Sequence, residues 1–291
     1  MQAKRKVWLE AAINGAAGRR RQPRVPVMPE EIIQDALACA RAGASIIHFH
    51  AYDPETQEPK EDVEIYARVI EAVRSQTDAI VYPTLAFRGE FEERIAPIDA
   101  LGRRGLMEWG VLDPGSVNIT HNFHIEEGDN GLLYANSDGL IRALLDLAAR
   151  DKWRPSYAIY EPGFARAGAI LGKGVEGLPT PVYRVMFSRN FTFGLPPEPY
   201  ALDLYGRLIA DVAPDAPWMI AGLDVDLQRI SPVALAMGAH IRVGLEDAPF
   251  GCERSNVALV ERAAAMIEGA GFTLATPDDV RHGLSVYDKA A

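Results

Sequence analysis

Cysteine is scarce in this chain, with 2 in 291 residues, Cys39 and Cys252. Neither belongs to a Cys-x-x-Cys pair. A disulfide framework is therefore not expected, and a reducing cytoplasm is the expected compartment. Cys39 falls in an apolar helical pattern and reads as a buried, inert thiol. Long apolar runs are also missing. None approaches the roughly 20 residues that a membrane span needs, and the charged opening Met1-Gln2-Ala3-Lys4-Arg5-Lys6 leads into a strand too short for a signal-peptide core. Positive charge is in deficit: 30 Lys and Arg against 40 Asp and Glu give a formal net charge of −10. That balance argues against nucleic acid or an anionic membrane as the main partner. The one basic cluster, Arg19-Arg20-Arg21 with Arg24, lies in a Gly/Pro/Gln loop. It reads either as a solvated loop or as a clamp for an anionic substrate tail or cofactor phosphate.

What is present is an ordinary globular composition, 48% hydrophobic and 24% charged, with no composition shift to mark a second domain. A single domain over residues 1–291 is the expectation. Short apolar runs alternate with helical patterns along the chain. Runs at 7–14, 44–51, 79–84, 108–113, 156–161, 182–187, 218–222 and 240–244 read as eight strands. Helical patterns run from Pro29 to Gly43, Glu61 to Val73, Glu92 to Leu101, Leu140 to Ala149, Tyr200 to Val212, Pro232 to Met237 and Asn256 to Gly269. Eight strands alternating with helices over this length read as an α/β protein, a (β/α)8 TIM barrel. A doubly wound open sheet is the competitor. The first turn, Asn14-Gly15-Ala16-Ala17-Gly18, lacks the dinucleotide fingerprint such a sheet would carry there.

The strand Ala44-Ser45-Ile46-Ile47-His48-Phe49-His50-Ala51 holds the strongest chemical signal. Side chains alternate faces along a strand, so His48 and His50 point the same way, roughly 7 Å apart at Cα. Two imidazoles there make half of a metal site, or else one packs in the core and the other caps a turn. In a barrel the site lies at the C-terminal strand ends. That rule collects Asn14, the two histidines, Thr84, Asp113, Ser116, Asn118, Glu161, Asp224, Arg242, Glu246 and Asp247. Ser116, Asn118 and Asp224 read better as turn residues. Strand eight neighbours strand one on closure, so Glu246 could complete a set of two His and one Glu, with Asp247 as a base and Arg242 as its partner or a carboxylate clamp.

These segments resemble the β-keto acid cleavage enzymes. The resemblance is carried by Ala11-Ala12-Ile13-Asn14-Gly15-Ala16, Met28-Pro29-Glu30-Glu31, the stretch from Ala42 to His50, the stretch from Gly238 to Asp247, and a closing Leu-Ala-Thr-Pro segment before Asp278. It implies a zinc-dependent TIM barrel, usually a homotetramer, that condenses a β-keto acid with acetyl-CoA to give acetoacetate and a new CoA thioester. Carried over, His48, His50 and Glu246 are the zinc ligands, and Arg242 and Asp247 belong to the catalytic machinery. Asn14, Thr84 and Glu161 lie near the substrate.

Some segments depart from the family pattern. Pro83-Thr84-Leu85-Ala86 stands where the type member has Ser-Thr-Gly-Gly, and Ala17 replaces an acidic residue, which points away from an amino-bearing substrate. The Gly-rich stretch after strand six is replaced by Phe187-Ser188-Arg189-Asn190-Phe191-Thr192-Phe193-Gly194. After strand seven the chain reads Gly222-Leu223-Asp224-Val225-Asp226. The altered loops leave a CoA-independent, metal-assisted carbon–carbon lyase or hydrolase as the competing expectation. A non-catalytic sensor is a third, and it gives no reason for the acid–base residues.

Overall fold

Eight short strands form the centre of the molecule. They are β1 (Leu9–Ala12), β2 (Ile46–Phe49), β3 (Ile80–Pro83), β4 (Trp109–Val111), β5 (Arg154–Ile159), β6 (Val182–Phe187), β7 (Trp218–Gly222) and β8 (His240–Val243). They come from a computed structural model that describes residues 4–290. All are parallel, hydrogen-bonded in the order β3-β2-β1-β8-β7-β6-β5-β4. The end strands β3 and β4 lie side by side without a ladder between them, so the sheet nearly closes into a barrel. Both faces of such a strand are covered, which is why each reads as a nearly continuous apolar run.

Each strand is followed by a helix: α1 (Pro29–Arg41), α2 (Val63–Arg74), α3 (Phe91–Arg103), α4 (Asp138–Asp151), α5 (Pro162–Gly172), α6 (Pro199–Val212), α7 (Ser231–Ala236) and α8 (Asn256–Gly269). Local chemistry sets their starts. Pro29 opens α1, and Glu31 turns back to accept the Met28 N–H at 3.1 Å, a capping arrangement. Asp62 caps α2 by accepting the N–H groups of Glu64 and Ile65. The buried apolar faces of the helices meet the outward-facing strand residues in one core. The fold is a (β/α)8 TIM barrel, as the alternation predicts.

Several segments differ from the sequence expectation. The first strand is interrupted at Trp8, whose N–H donates to His240 Nδ1 at 3.0 Å instead of to a ladder carbonyl. Lys6–Val7 then pairs with Thr273–Leu274 outside the barrel. The loop after β4 carries a hairpin, Val117–Ile119 with Leu132–Tyr134, and a helical turn at Asn122–Glu127. Helix α5 and a closing helix, Pro277–Ala290, have no counterpart in the sequence reading. The arginine cluster sits on a short helix, Gly18–Arg21, where Arg19 pairs with Glu31 and Arg21 with Glu127. Cys39 is fully buried, as expected. No helix among the described residues is long and apolar enough to cross a membrane.

Candidate active site

The site sits on three adjacent strands, β8, β1 and β2, at their C-terminal ends. The register pairs Arg242 with Glu10, Glu10 with Ile46, and Ala12 with His48. Residues paired in this way share a face, so Glu10, His48 and Arg242 all project into the barrel. Two bends then bring β8's carboxylates over this opening. Gly244 adopts φ +143 and passes so close to β1 that an added Cβ would lie 2.0 Å from the Ala12 carbonyl oxygen. Gly15 adopts φ +67, and a Cβ there would lie 2.6 Å from Cγ of Glu246. Only glycine accepts that combination of conformation and contact.

His48, His50 and Glu246 converge. Their donor atoms all lie within 4.8 Å of one another. His48 Nε2 is 3.4 Å from Glu246 Oε2, and His50 Nε2 is 3.7 Å from Glu246 Oε1. His50 Nε2 and Glu246 Oε2 are buried without a hydrogen-bond partner. Burial pushes the His48 imidazole well below its ordinary range, against the attraction of Glu246, so it is held neutral, the form that binds metal. Burial also works against the charge of Glu246. The Arg242 guanidinium, 2.7 Å from Glu246 Oε1, outweighs it and holds that carboxyl well below the usual range. Two imidazole rings, an ionised carboxylate and unbonded donor atoms fit a divalent transition-metal ion.

Asn14 positions this cluster. Its Oδ1 accepts the His50 N–H at 2.8 Å, and its Nδ2 donates to the carbonyls of His50 and Pro26 at 2.9 and 3.0 Å. The side chain expected near substrate is thus engaged with the backbone that carries a donor. From the other side, Asn256 of α8 accepts the Leu245 N–H at 2.7 Å, and Gln22 donates to the Leu245 carbonyl at 3.1 Å.

Beneath the cluster, Arg242 meets three carboxylates. Its Nη2 lies 2.7 Å from both Glu246 Oε1 and Asp247 Oδ1, its Nε donates to Asp247, and its Nη1 donates to Glu10 Oε1 at 3.3 Å. Tyr82 donates to the same Glu10 oxygen at 2.7 Å. One guanidinium against three carboxylates leaves an excess of buried negative charge when all are ionised, which favours a cation close by. Burial pushes Asp247 up to about 6, against the pull of Arg242. A carboxyl held there can take and return a proton near neutral pH.

Of the remaining candidates, Thr84 is buried at the end of β3, with its hydroxyl 3.4 Å from the Leu85 carbonyl. Glu161 accepts the Gly194 N–H at 3.0 Å and so ties the loop after β6 to β5. Asp113 is buried, accepting from Tyr134 and from the Ala158 N–H. Ser116 bonds the Asn136 backbone across the base of the hairpin, and Asn118 sits in the hairpin. Asp224, at φ +53, accepts the Phe250 N–H at 2.7 Å and pairs with His121 at 2.8 Å, pinning the hairpin loop over the mouth. Glu10, Tyr82 and Arg184 went unread in the sequence. Their signal was a polar group inside an apolar strand.

A TIM barrel with two imidazoles, a carboxylate and an arginine–aspartate pair at its C-terminal mouth defines a class: a barrel enzyme with a candidate metal centre. The family model described as beta-keto acid cleavage enzyme matches residues 6–286. The chain belongs to that family. It is 28% identical to the 3-keto-5-aminohexanoate cleavage enzyme of Fusobacterium nucleatum, covering 97% of this chain and 98% of that one. It is 27% identical to the 3-oxoadipate:acetyl-CoA acetyltransferase of Cupriavidus necator, over 94% and 92% of the two chains. Among solved structures it resembles ObcA in its binary complex with oxaloacetate, with a TM-score of 0.72 and 19% identity over 90% of this chain and 67% of that one. That likeness concerns the fold.

Proposed function

We propose that this protein condenses a β-keto acid with acetyl-CoA, giving acetoacetate and a new acyl-CoA, at a zinc site formed by His48, His50 and Glu246. The observation that carries the reading is the junction of that donor set with the Arg242–Asp247 pair through a shared guanidinium. The family membership and the acetyl-CoA-dependent name of a relative agree with it.

Bound zinc would polarise the ketone and make the carbon between ketone and carboxylate more acidic. Asp247 takes the proton from that carbon. Its own proton affinity is set by burial and by Arg242. The carbanion adds to the acetyl carbonyl and the C–S bond breaks, releasing CoA thiolate. The thiolate adds to the original ketone, and scission of the original carbon–carbon bond leaves the acyl group on CoA. The acetoacetate carbanion regains the proton from Asp247. Arg242 keeps Asp247 and Glu246 oriented throughout, because its fork holds both at 2.7 Å. Asn14 fixes His50, and Thr84 and Glu161 border the substrate's end of the mouth.

The test is acetoacetate formation by the zinc-loaded protein with acetyl-CoA and a panel of β-keto acids. The signal is expected to need both substrates and to vanish in Glu246→Gln. Turnover of a keto acid with acetyl-CoA omitted would instead establish a CoA-independent lyase or hydrolase.

A further inference from the structure

The donors of the candidate metal cluster hang from two separate pieces of backbone. His48 lies in β2 and His50 directly follows it. Glu246 lies in the turn after β8, beyond Val243 and Ala11, the last ladder pair of β8 with β1. Past that pair, the Glu246 N–H reaches the Ala12 carbonyl at 3.2 Å. Gly244 and Gly15, both at positive φ, allow this close approach. Glycine also removes the stiffness that a side chain would lend the backbone. The distance between Glu246 and the two histidines therefore needs a brace from outside the turn.

Asn256, the first residue of α8, is buried. The helix does not use its side chain, because Ser255 is the cap and its Oγ accepts the Ala258 N–H at 3.2 Å. The Asn256 carboxamide turns inward instead and makes three hydrogen bonds. Oδ1 accepts the Leu245 N–H at 2.7 Å. Nδ2 donates to the Ile13 carbonyl at 2.7 Å and to Asp35 Oδ2 of α1 at 2.5 Å. Leu245 is the residue before Glu246. Ile13 is the residue before Asn14, which holds His50, and its own N–H donates to the His48 carbonyl at 3.0 Å. One carboxamide thus ties the backbone beside the carboxylate donor to the backbone beside both imidazole donors. Only one orientation of the amide serves all three partners, since Leu245 offers a donor while Ile13 and Asp35 offer acceptors.

We propose that Asn256 is a positioning residue of the metal centre: it sets the spacing between Glu246 and the two histidines, and Asp35 locks its amide in the working orientation. The inference rests on the reading of His48, His50 and Glu246 as metal ligands. Asparagine is the side chain that this junction requires. Aspartate keeps the shape but sets oxygen against the Ile13 carbonyl and the Asp35 carboxylate. Alanine leaves a buried N–H and a buried carbonyl unpaired. Asp35 makes no ion pair among the described residues, and its bond to Asn256 gives it a role that α1 itself does not need.

The experiment measures zinc affinity by chelator competition, the visible absorption of the cobalt(II)-loaded protein, and the melting temperature. It compares the wild type with Asn256→Asp, Asp35→Ala and a control, Val260→Ala, which removes buried volume from the same helix. Asn256→Asp is expected to bind zinc about 10- to 100-fold more weakly, as loss of an outer-shell brace does, and to shift the cobalt bands, because the ligand geometry changes. Val260→Ala is expected to melt lower with zinc affinity and cobalt bands unchanged. Asp35→Ala leaves both backbone bonds of Asn256 in place, so it reports even where Asn256→Asp does not fold. It is expected to weaken zinc about two- to tenfold, the loss of one hydrogen bond. Asn256→Asp melting lower with intact zinc affinity and bands overturns the proposal, as does an equal loss of zinc affinity in Val260→Ala. Unchanged affinity in Asp35→Ala overturns the lock. A wild type that binds neither zinc nor cobalt overturns the metal-centre reading itself. If the expected losses appear but no keto acid yields acetoacetate, the positioning role stands and the acyl-transfer reading fails.

Discussion

Asn14 and His50, 36 residues apart, hold each other at the backbone: the Asn14 carboxamide accepts the His50 N–H at 2.8 Å and donates to the His50 carbonyl at 2.9 Å. A candidate metal donor is thus braced by the segment that follows β1 and not only by its own. Asn14→Ala should weaken zinc binding by roughly 10- to 100-fold, the usual effect of removing an outer-shell brace. Competition with a chromophoric chelator measures it. Unchanged affinity would mean that His50 is held by its own strand.

Gly15→Ala should be worse than its size suggests. The new methyl meets Glu246 Cγ at a backbone angle that side chains rarely adopt. Strain of this type costs on the order of 1–3 kcal/mol, and Glu246 must move. The expected outcome is a lower melting temperature together with weaker zinc binding. Loss of stability with intact zinc affinity would show that the strain relaxes away from Glu246.

Breaking the Arg242–Asp247 pair from either side should cost about 3–5 kcal/mol, because a buried charge is left uncompensated. Arg242→Met should be the more damaging change, since it leaves Glu10, Glu246 and Asp247 without their shared cation. Urea unfolding of the two single variants and the double variant measures this. The double variant should lose less than the sum of the two.

Acid should destabilise the fold through His240. This imidazole is stacked on Trp8 with ring centroids 4.0 Å apart and accepts the Trp8 N–H, and burial, assisted by Arg5, pushes it down to about 3. The unfolded chain takes up the proton near its ordinary value of 6.5, so between these values the unfolded state holds more protons than the folded one. The contribution to stability is complete above pH 6.5 and falls as pH drops towards 3, by up to about 1.4 kcal/mol per pH unit. His240→Phe should flatten that acid limb, at a neutral-pH cost of about 1–3 kcal/mol for the orphaned Trp8 N–H. Urea unfolding at a series of pH values checks it. An unchanged acid slope would mean that His240 titrates normally in the folded protein.

The barrel was legible because its signals are local: apolar runs, helix starts at Pro29 and Asp62, and regular alternation. His48 and His50 were legible for the same reason, since a two-residue spacing on a strand fixes a common face. The role of Asn14 was not, because its partner is 36 residues away and only the β1–β2 register brings them together. Glu10 and Arg184 were read as parts of strands, since an apolar run tolerates one charge without losing its pattern. Only strand parity and closure show that both charges turn inward. The hairpin after β4 was hidden by polar turn residues, and it is held by tertiary contacts such as His121–Asp224. In α5, Gly163, Gly168 and Gly172 dilute the helical pattern, and packing against the barrel compensates.

The seam between β3 and β4 has a consequence for motion. A barrel with seven hydrogen-bonded ladders and one bare junction loosens first at that junction, where no backbone bonds must break. The candidate metal donors hang from β2 and the turn after β8, which are joined through β1 by uninterrupted ladders. Amide exchange along the free edges of β3 and β4 can therefore run fast while His48, Glu10 and Arg242 keep their spacing. The slack of the fold is lodged away from the strands that carry the candidate metal donors.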